Sequence, residues 1–195
     1  MVGSPTAFAD SEIEESLRRL ADNNEGRGVY VPAGALWGAE DIKKMADRGT
    51  LTGLTVTMKK HPASLKVESE LKPKLAQAFK PASGEVVVYD GPVRGLCPLA
   101  PNNVNTMACA ALAAHNIGFD KVRARLIADS SLDAHVIFIE VQGPPASNTS
   151  ERGFSVTTER YNPAKVGAVT GSATYVSFLS SLLGARGAGA GFHFC

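Results

Sequence analysis

The chain has no stretch of about 18 consecutive apolar residues and no basic segment followed by an apolar one at its start, so neither a membrane span nor a secretory leader is expected. It has no marked excess of either charge, with 20 Lys and Arg against 19 Asp and Glu, and no basic block interleaved with aromatics that would track a phosphate backbone. Nucleic acid is therefore not an expected partner. Cysteine is sparse: Cys97, Cys109 and Cys195 have no paired metal-ligand spacing, and an odd number cannot all close into internal disulfides. A reducing, cytoplasmic setting without a metal centre is expected. No Walker loop and no nucleophile elbow occurs, which leaves phosphoryl transfer and serine hydrolysis without positive support. Gly187, Gly189 and Gly191 do not form a dinucleotide fingerprint either, because the third spacing is wrong and no helix is expected to follow.

Apolar residues make up 44% of the 195, enough for one large domain or one domain and part of a second. "MVGSPTAFAD" reads as a short strand-like stub. Ser11 and Glu14 then have capping-box spacing ahead of Ile13, Leu17 and Leu20, which predicts a helix over about 11–23. "GVYV" reads as a buried strand, 33–38 as a Gly-containing loop, and the following segment as a helix ended by Gly49, the start of a parallel unit. "GLTVTMKK" and "EVVVYDGPV" are further strands, with a short helix near 71–79 between them. Val104, Met107, Ala108, Ala111 and Leu112 form an Ala-rich helical stripe. "KVRARLIAD", "HVIFIEV" and "FSVTTER" read as consecutive antiparallel strands, and Val169, Ala173, Val176, Leu179 and Leu183 as the face of a closing helix. The fold class expected is α/β (α+β), a mixed and largely antiparallel sheet backed by helices, with a tail over 186–195 too glycine-rich for order.

Four segments have residue types that suit chemistry. His135 stands where a strand leaves a turn, on the face shared by Ile137, Ile139 and Val141; it is either a rim histidine satisfied by a neighbour or a general acid or base in a cleft. Asn103 and Asn105 straddle a helix start, where amides cap orphan N–H groups or present donors to a ligand. Lys59, Lys60 and His61 end a strand, either as solvated cations or as partners of an anionic substrate. "PAGALWG" follows a strand of parallel type, at the end where open sheets bind ligands, and equally suits a plain turn.

In order along the chain, "VGSPTAFAD", "PAGALWGAED", "YDGPVRG", "PNNVN", "LIADSSLDAHVIFIEV" and "NPAKVGAVTGSA" resemble the aspartate dehydrogenase family over almost the whole length. The resemblance implies that the sequence starts inside a Rossmann domain, so that 1–38 are its strand–helix–strand remnant, 39–185 the substrate-binding and dimerisation domain, and 186–195 a flexible tail. It implies oxidative deamination of L-aspartate to iminoaspartate with NAD or NADP, the product feeding NAD biosynthesis or hydrolysing to oxaloacetate, and a homodimer. It implies that His135 is the catalytic base, that Ala35, Asn103 and Asn105 contact the cofactor, and that Lys60, Thr170 and Ser172 bind substrate carboxylate. Asp133 stands where the family commonly has Asn, two residues before the histidine. The Gly-rich fingerprint does not occur in this sequence, so impaired cofactor binding is expected. Two alternatives are a non-catalytic dimerisation or interaction domain derived from the enzyme and a related NAD(P) oxidoreductase with another substrate.

Overall fold

β-branched and aliphatic residues alternate with polar ones through three segments, and in a computed structural model these become the central strands of a five-stranded sheet. The structure describes residues 1–23, 26–80, 84–145, 153–171 and 173–195. Gly53–Lys60 (β2) lies in the middle, flanked by Arg123–Asp129 (β4) and Ala134–Pro145 (β5); Glu85–Pro92 (β3) and Gly153–Pro163 (β6) form the edges, in the order β3-β4-β2-β5-β6. The β2–β4 pair is parallel and the other three pairs are antiparallel, so the sheet is mixed and largely antiparallel as expected.

β4 and β5 are consecutive in sequence but not neighbours in the sheet, contrary to the expected three-strand meander. β2 is inserted between them, pairing Met58 with Leu126 on one side and with Ile137 on the other. The turn at 130–133 therefore crosses over β2, a connection that alternation within each strand does not encode.

Asn105–Ala113 (α5) lies behind the sheet and is the hub of the helical layer. It packs on β2, on Ala39–Asp47 (α2), on Val93–Leu96 (α4), on Gly118–Lys121 (α6) and on a 3-10 turn at Pro5–Ala9. Every residue from Thr106 to Ala113 is buried, so the apolar stripe read from sequence is only part of a helix enclosed on all sides. Its alanines suit this place, because small side chains let neighbouring backbones approach. Lys72–Gln77 (α3) is the short helix expected near 71–79.

The N-terminal stub is the Pro5–Ala9 turn and not a strand, because Pro5 starts a 3-10 turn and supplies no N–H to a ladder. Ser11–Asp22 (α1) follows, capped by Asp10 and not by the expected Ser11: the Asp10 carboxylate accepts from the N–H groups of Glu12 and Ile13 at 2.9 and 3.2 Å. Gly28–Val31 (β1) finds its partner at the other end of the chain. Gly191–Phe194 (β7) lies parallel to it, so the residues expected as a tail are ordered by pairing, with Phe192 edge-on to Phe8 and Tyr30 stacked on His193. The glycines loosen this segment locally, but four backbone partners and two aromatic contacts outweigh that entropy.

Ala173–Ala185 (α7) is helical where a helix was expected, yet its stripe faces outward. Val176 is 68% exposed and Leu183 63%, with Tyr175, Leu179 and Leu182 also open to solvent. No helix among the described residues is long and apolar enough to cross a membrane. Leu112→Ala, in the enclosed helix, is expected to lower the unfolding free energy by about 2–5 kcal/mol in urea denaturation. Leu183→Ala is expected to change that of the isolated chain by no more than about 0.5 kcal/mol; equal effects would contradict the outward stripe.

Candidate functional site

Pairing register builds the site across one end of the sheet. His135 on β5 is level with Asn162 on β6, and the register that pairs Lys59 with Val136 puts Lys60 of β2 level with His135 on its other side. One row further in, Met58, Ile137 and Arg160 stand on the same three strands. Side chains directly opposite on adjacent strands have Cβ atoms about 5 Å apart, so alternation alone puts a lysine, a histidine and an amide side by side on the helix-backed face. Helix α5, the loop 164–171 and the loop after β1 enclose this end as a cavity of about 180 Å³. That is below the roughly 300–1,000 Å³ of drug-sized sites.

Lys60 is 4% exposed, and burial pushes its ammonium down to about 8. Its Nζ donates to the carbonyl of Val169 at 3.0 Å and to Asn103 Oδ1 at 3.4 Å. Asn103 in turn donates from Nδ2 to the carbonyl of Lys66 at 2.7 Å. Asn103 therefore aims an oxygen at the lysine and neither caps α5 nor leaves its amide free; the start of α5 has no side-chain cap. Asn105 accepts from Ser4 Oγ at 3.0 Å and lines the same cavity.

His135 is 6% exposed, and its Nε2 lies 2.9 Å from the carbonyl oxygen of Ala168. A carbonyl only accepts, so Nε2 carries the hydrogen, and in the neutral ring Nδ1 is left with its lone pair and no hydrogen-bond partner among the described residues. Burial and then the nearby Lys60 charge lower the pKa of His135, against a smaller opposing effect of the Ala168 carbonyl. The ring is thus neutral and able to accept a proton at neutral pH.

The loop that supplies both carbonyls is itself pinned. Gly167 N–H donates to Ser64 Oγ at 3.0 Å and Ala164 N–H to the carbonyl of Asp133 at 2.9 Å. Gly171 closes it against Asn162, since a Cβ there would run into the Asn162 amide nitrogen. Asp133 accepts from the Tyr161 hydroxyl at 2.8 Å and so fixes the turn leading into His135 without touching the ring.

Of the residues singled out from sequence, His135, Lys60, Asn103, Asn105, Ala35 and Thr170 all line the one cavity, and Ser172 lies outside the described residues. Lys59 and His61 point elsewhere: Lys59 pairs with Glu85 at 2.5 Å, and His61 Nδ1 accepts from Ala63 N–H at 3.1 Å. Sequence reasoning missed Arg160 and Asn162. Their signal is the period-two spacing in "RYN", which shares a face with His135 only once the hairpin register is known. The thiols of Cys97 and Cys109 are buried, which pushes Cys97 up to about 12 and Cys109 up as well, so neither is a thiolate nucleophile at neutral pH. No group of three metal-ligating side chains occurs among the described residues.

Asn105 and the loop carrying Ala35 present amide and backbone groups to the cavity, and the sequence has no strand-to-helix Gly-rich fingerprint of the dinucleotide-binding kind.

Comparison with known proteins finds relatives that match most of the chain. A family model described as the C-terminal part of aspartate dehydrogenase matches residues 41–181. An aspartate dehydrogenase domain-containing protein of Xenopus tropicalis is 54% identical over 100% of this chain and 67% of its own length. An L-aspartate dehydrogenase of Methanosarcina barkeri is 33% identical over 73% of this chain and 51% of its own. The crystal structure of aspartate dehydrogenase from Thermotoga maritima has the same fold, with a TM-score of 0.62 at 21% identity, over 94% of this chain and 64% of that one. This chain thus spans about two thirds of the frog relative and about half of the archaeal one.

His135 is expected to titrate below the ordinary histidine value of 6.5 in an NMR pH series. Lys60→Met is expected to raise it without restoring 6.5, because burial is the larger cause. An unchanged or lowered value in the variant would contradict the coupling.

Proposed function

Since the chain belongs to the aspartate dehydrogenase family, we propose that its cavity binds L-aspartate and serves its oxidative deamination to iminoaspartate. The observation that carries this reading is the neutral imidazole of His135 beside a buried cation, in a cavity whose described lining has no carboxylate.

In this reaction the substrate nitrogen loses a proton and Cα loses a hydrogen with its electron pair, which leaves a C=N bond. NAD or NADP, when bound, supplies the acceptor for that hydrogen and pair. Nδ1 of His135 takes the proton from the substrate ammonium, or later from the water that attacks the imine. The Ala168 carbonyl holds the ring in the tautomer with that lone pair, and it stabilises the imidazolium once formed. Lys60 attracts a substrate carboxylate, and burial, reinforced by the Lys60 charge, keeps His135 unprotonated until the substrate arrives. Asn103, with its amide committed to Lys60 and the Lys66 carbonyl, acts as a positioning residue rather than as a cofactor contact. Asn105 and the backbone at Ala35 would hold the nicotinamide carboxamide, and Thr170, in the same lining, would contact the substrate. The choice between NAD and NADP depends on a ribose-reading group outside these motifs.

Two further features belong to the same reading. The outward apolar stripe of α7 supports a homodimer, because contiguous exposed apolar surface favours association. Three free thiols suit a reducing, cytoplasmic setting.

The test is L-aspartate-dependent formation of reduced cofactor. His135→Asn is expected to lower turnover by about 100-fold or more with folding retained. Turnover efficiency is expected to rise with pH through the lowered His135 value, and KM to rise above about 8 as Lys60 loses its proton. A chain that dimerises in sedimentation, binds no cofactor and gives no turnover would instead be an interaction module derived from the enzyme, the reading favoured by the exposed stripe alone.

A further inference from the structure

We infer that Arg160 is the specificity residue of this site, the group that binds the second carboxylate of a dicarboxylic substrate. The inference rests on the substrate reading above and deepens it. Arg160 projects from β6 one row in from His135 and Asn162 and lines the cavity. Lys60 and Arg160 are the two side chains in that lining that are cationic at neutral pH, and no Asp or Glu among the described residues lines it.

Other arginines of this chain show what a guanidinium does here when an acid is near. Arg94 is held by Asp120 at 2.6 Å, Arg123 by Asp90 at 2.6 Å, and Arg18 by Glu14 at 3.0 Å. Arg160 has no such partner among the described residues. Its one hydrogen bond there is from Nη1 to the carbonyl of Gly34 at 3.3 Å. A guanidinium has five N–H donors in a planar fork, so the bond to Gly34 leaves a carboxylate-sized set of donors unused.

The spacing also suits a short diacid. Lys60 and Arg160 lie two strands apart and two residues offset along them, about 12 Å between backbones at the usual strand geometry, and both are long side chains that converge on one cavity with His135 and Ile137 between them. A four-carbon dicarboxylate meets a cation at each end and has its middle carbons beside the imidazole. A monocarboxylate of similar length satisfies only one cation and leaves the other facing an apolar tail. The bond to Gly34 adds a consequence: the residue that binds the second carboxylate also grips the loop carrying Ala35, one residue on.

Binding can be read without turnover, because the single tryptophan, Trp37, is 72% exposed in that loop, three residues from Gly34. The full chain is titrated with succinate and with propionate, followed by Trp37 fluorescence and calorimetry. Succinate is expected to bind more tightly than propionate. Arg160→Gln is expected to weaken succinate by about 10-fold or more and to leave propionate unchanged, the loss of one charge-assisted hydrogen-bonded pair. Arg160→Lys, which keeps the charge and loses the fork, is expected to fall between the two. If Arg160→Gln folds and still discriminates as the unsubstituted chain does, the assignment of Arg160 is overturned while the dicarboxylate reading stands. If the unsubstituted chain itself does not prefer succinate, the dicarboxylate reading and this assignment fall together.

Discussion

One ammonium group taken out of water, that of Lys60, constrains the rest of the site. A buried cation costs several kcal/mol unless oxygen ligands replace its hydration. Here the replacements come from two distant parts of the chain, the Val169 carbonyl and the Asn103 amide. The loop before α7 and the approach to α5 therefore cannot move independently of the end of β2. The same loop brings the Ala168 carbonyl to His135, so the group that sets the imidazole tautomer is positioned by the cation that, after burial, lowers its basicity.

In the role proposed for His135, that arrangement resolves two opposed demands on a general base. It has to be unprotonated before substrate arrives, which burial and a neighbouring cation secure, and it has to tolerate a proton afterwards, which a carbonyl on the far nitrogen secures. A substrate carboxylate adds to the second effect, since it offsets the Lys60 charge just when the ring is to accept a proton. Substrate binding and base strength are linked through a single electrostatic pair. With no Asp or Glu in the cavity's described lining, that link favours anions.

Local pattern made much of this legible. Period-two alternation gave β2 to the residue, and helical spacing found α2, α5 and α7. Long-range pairing was not legible: β2 slips between β4 and β5, and β7 returns from the C-terminal end to pair with β1, because neither register nor strand order is written in a strand's own residues. At the site, His135 stood out by its residue type and the resemblance supplied its role. Arg160 and Asn162 did not stand out, since only the β5–β6 register brings them beside it. The outward turn of the α7 stripe escaped for a related reason: periodicity identifies an apolar face but not what covers it.

The central claim is that one cation-lined cavity at the end of the sheet holds the dicarboxylate with its reacting carbon at His135. A crystal structure of the chain with oxaloacetate tests it most directly. The account predicts one carboxylate on Lys60, the other on the Arg160 guanidinium, and the carbonyl carbon next to the imidazole. A diacid bound outside this cavity, or bound in it with His135 turned away from the ligand, would contradict it.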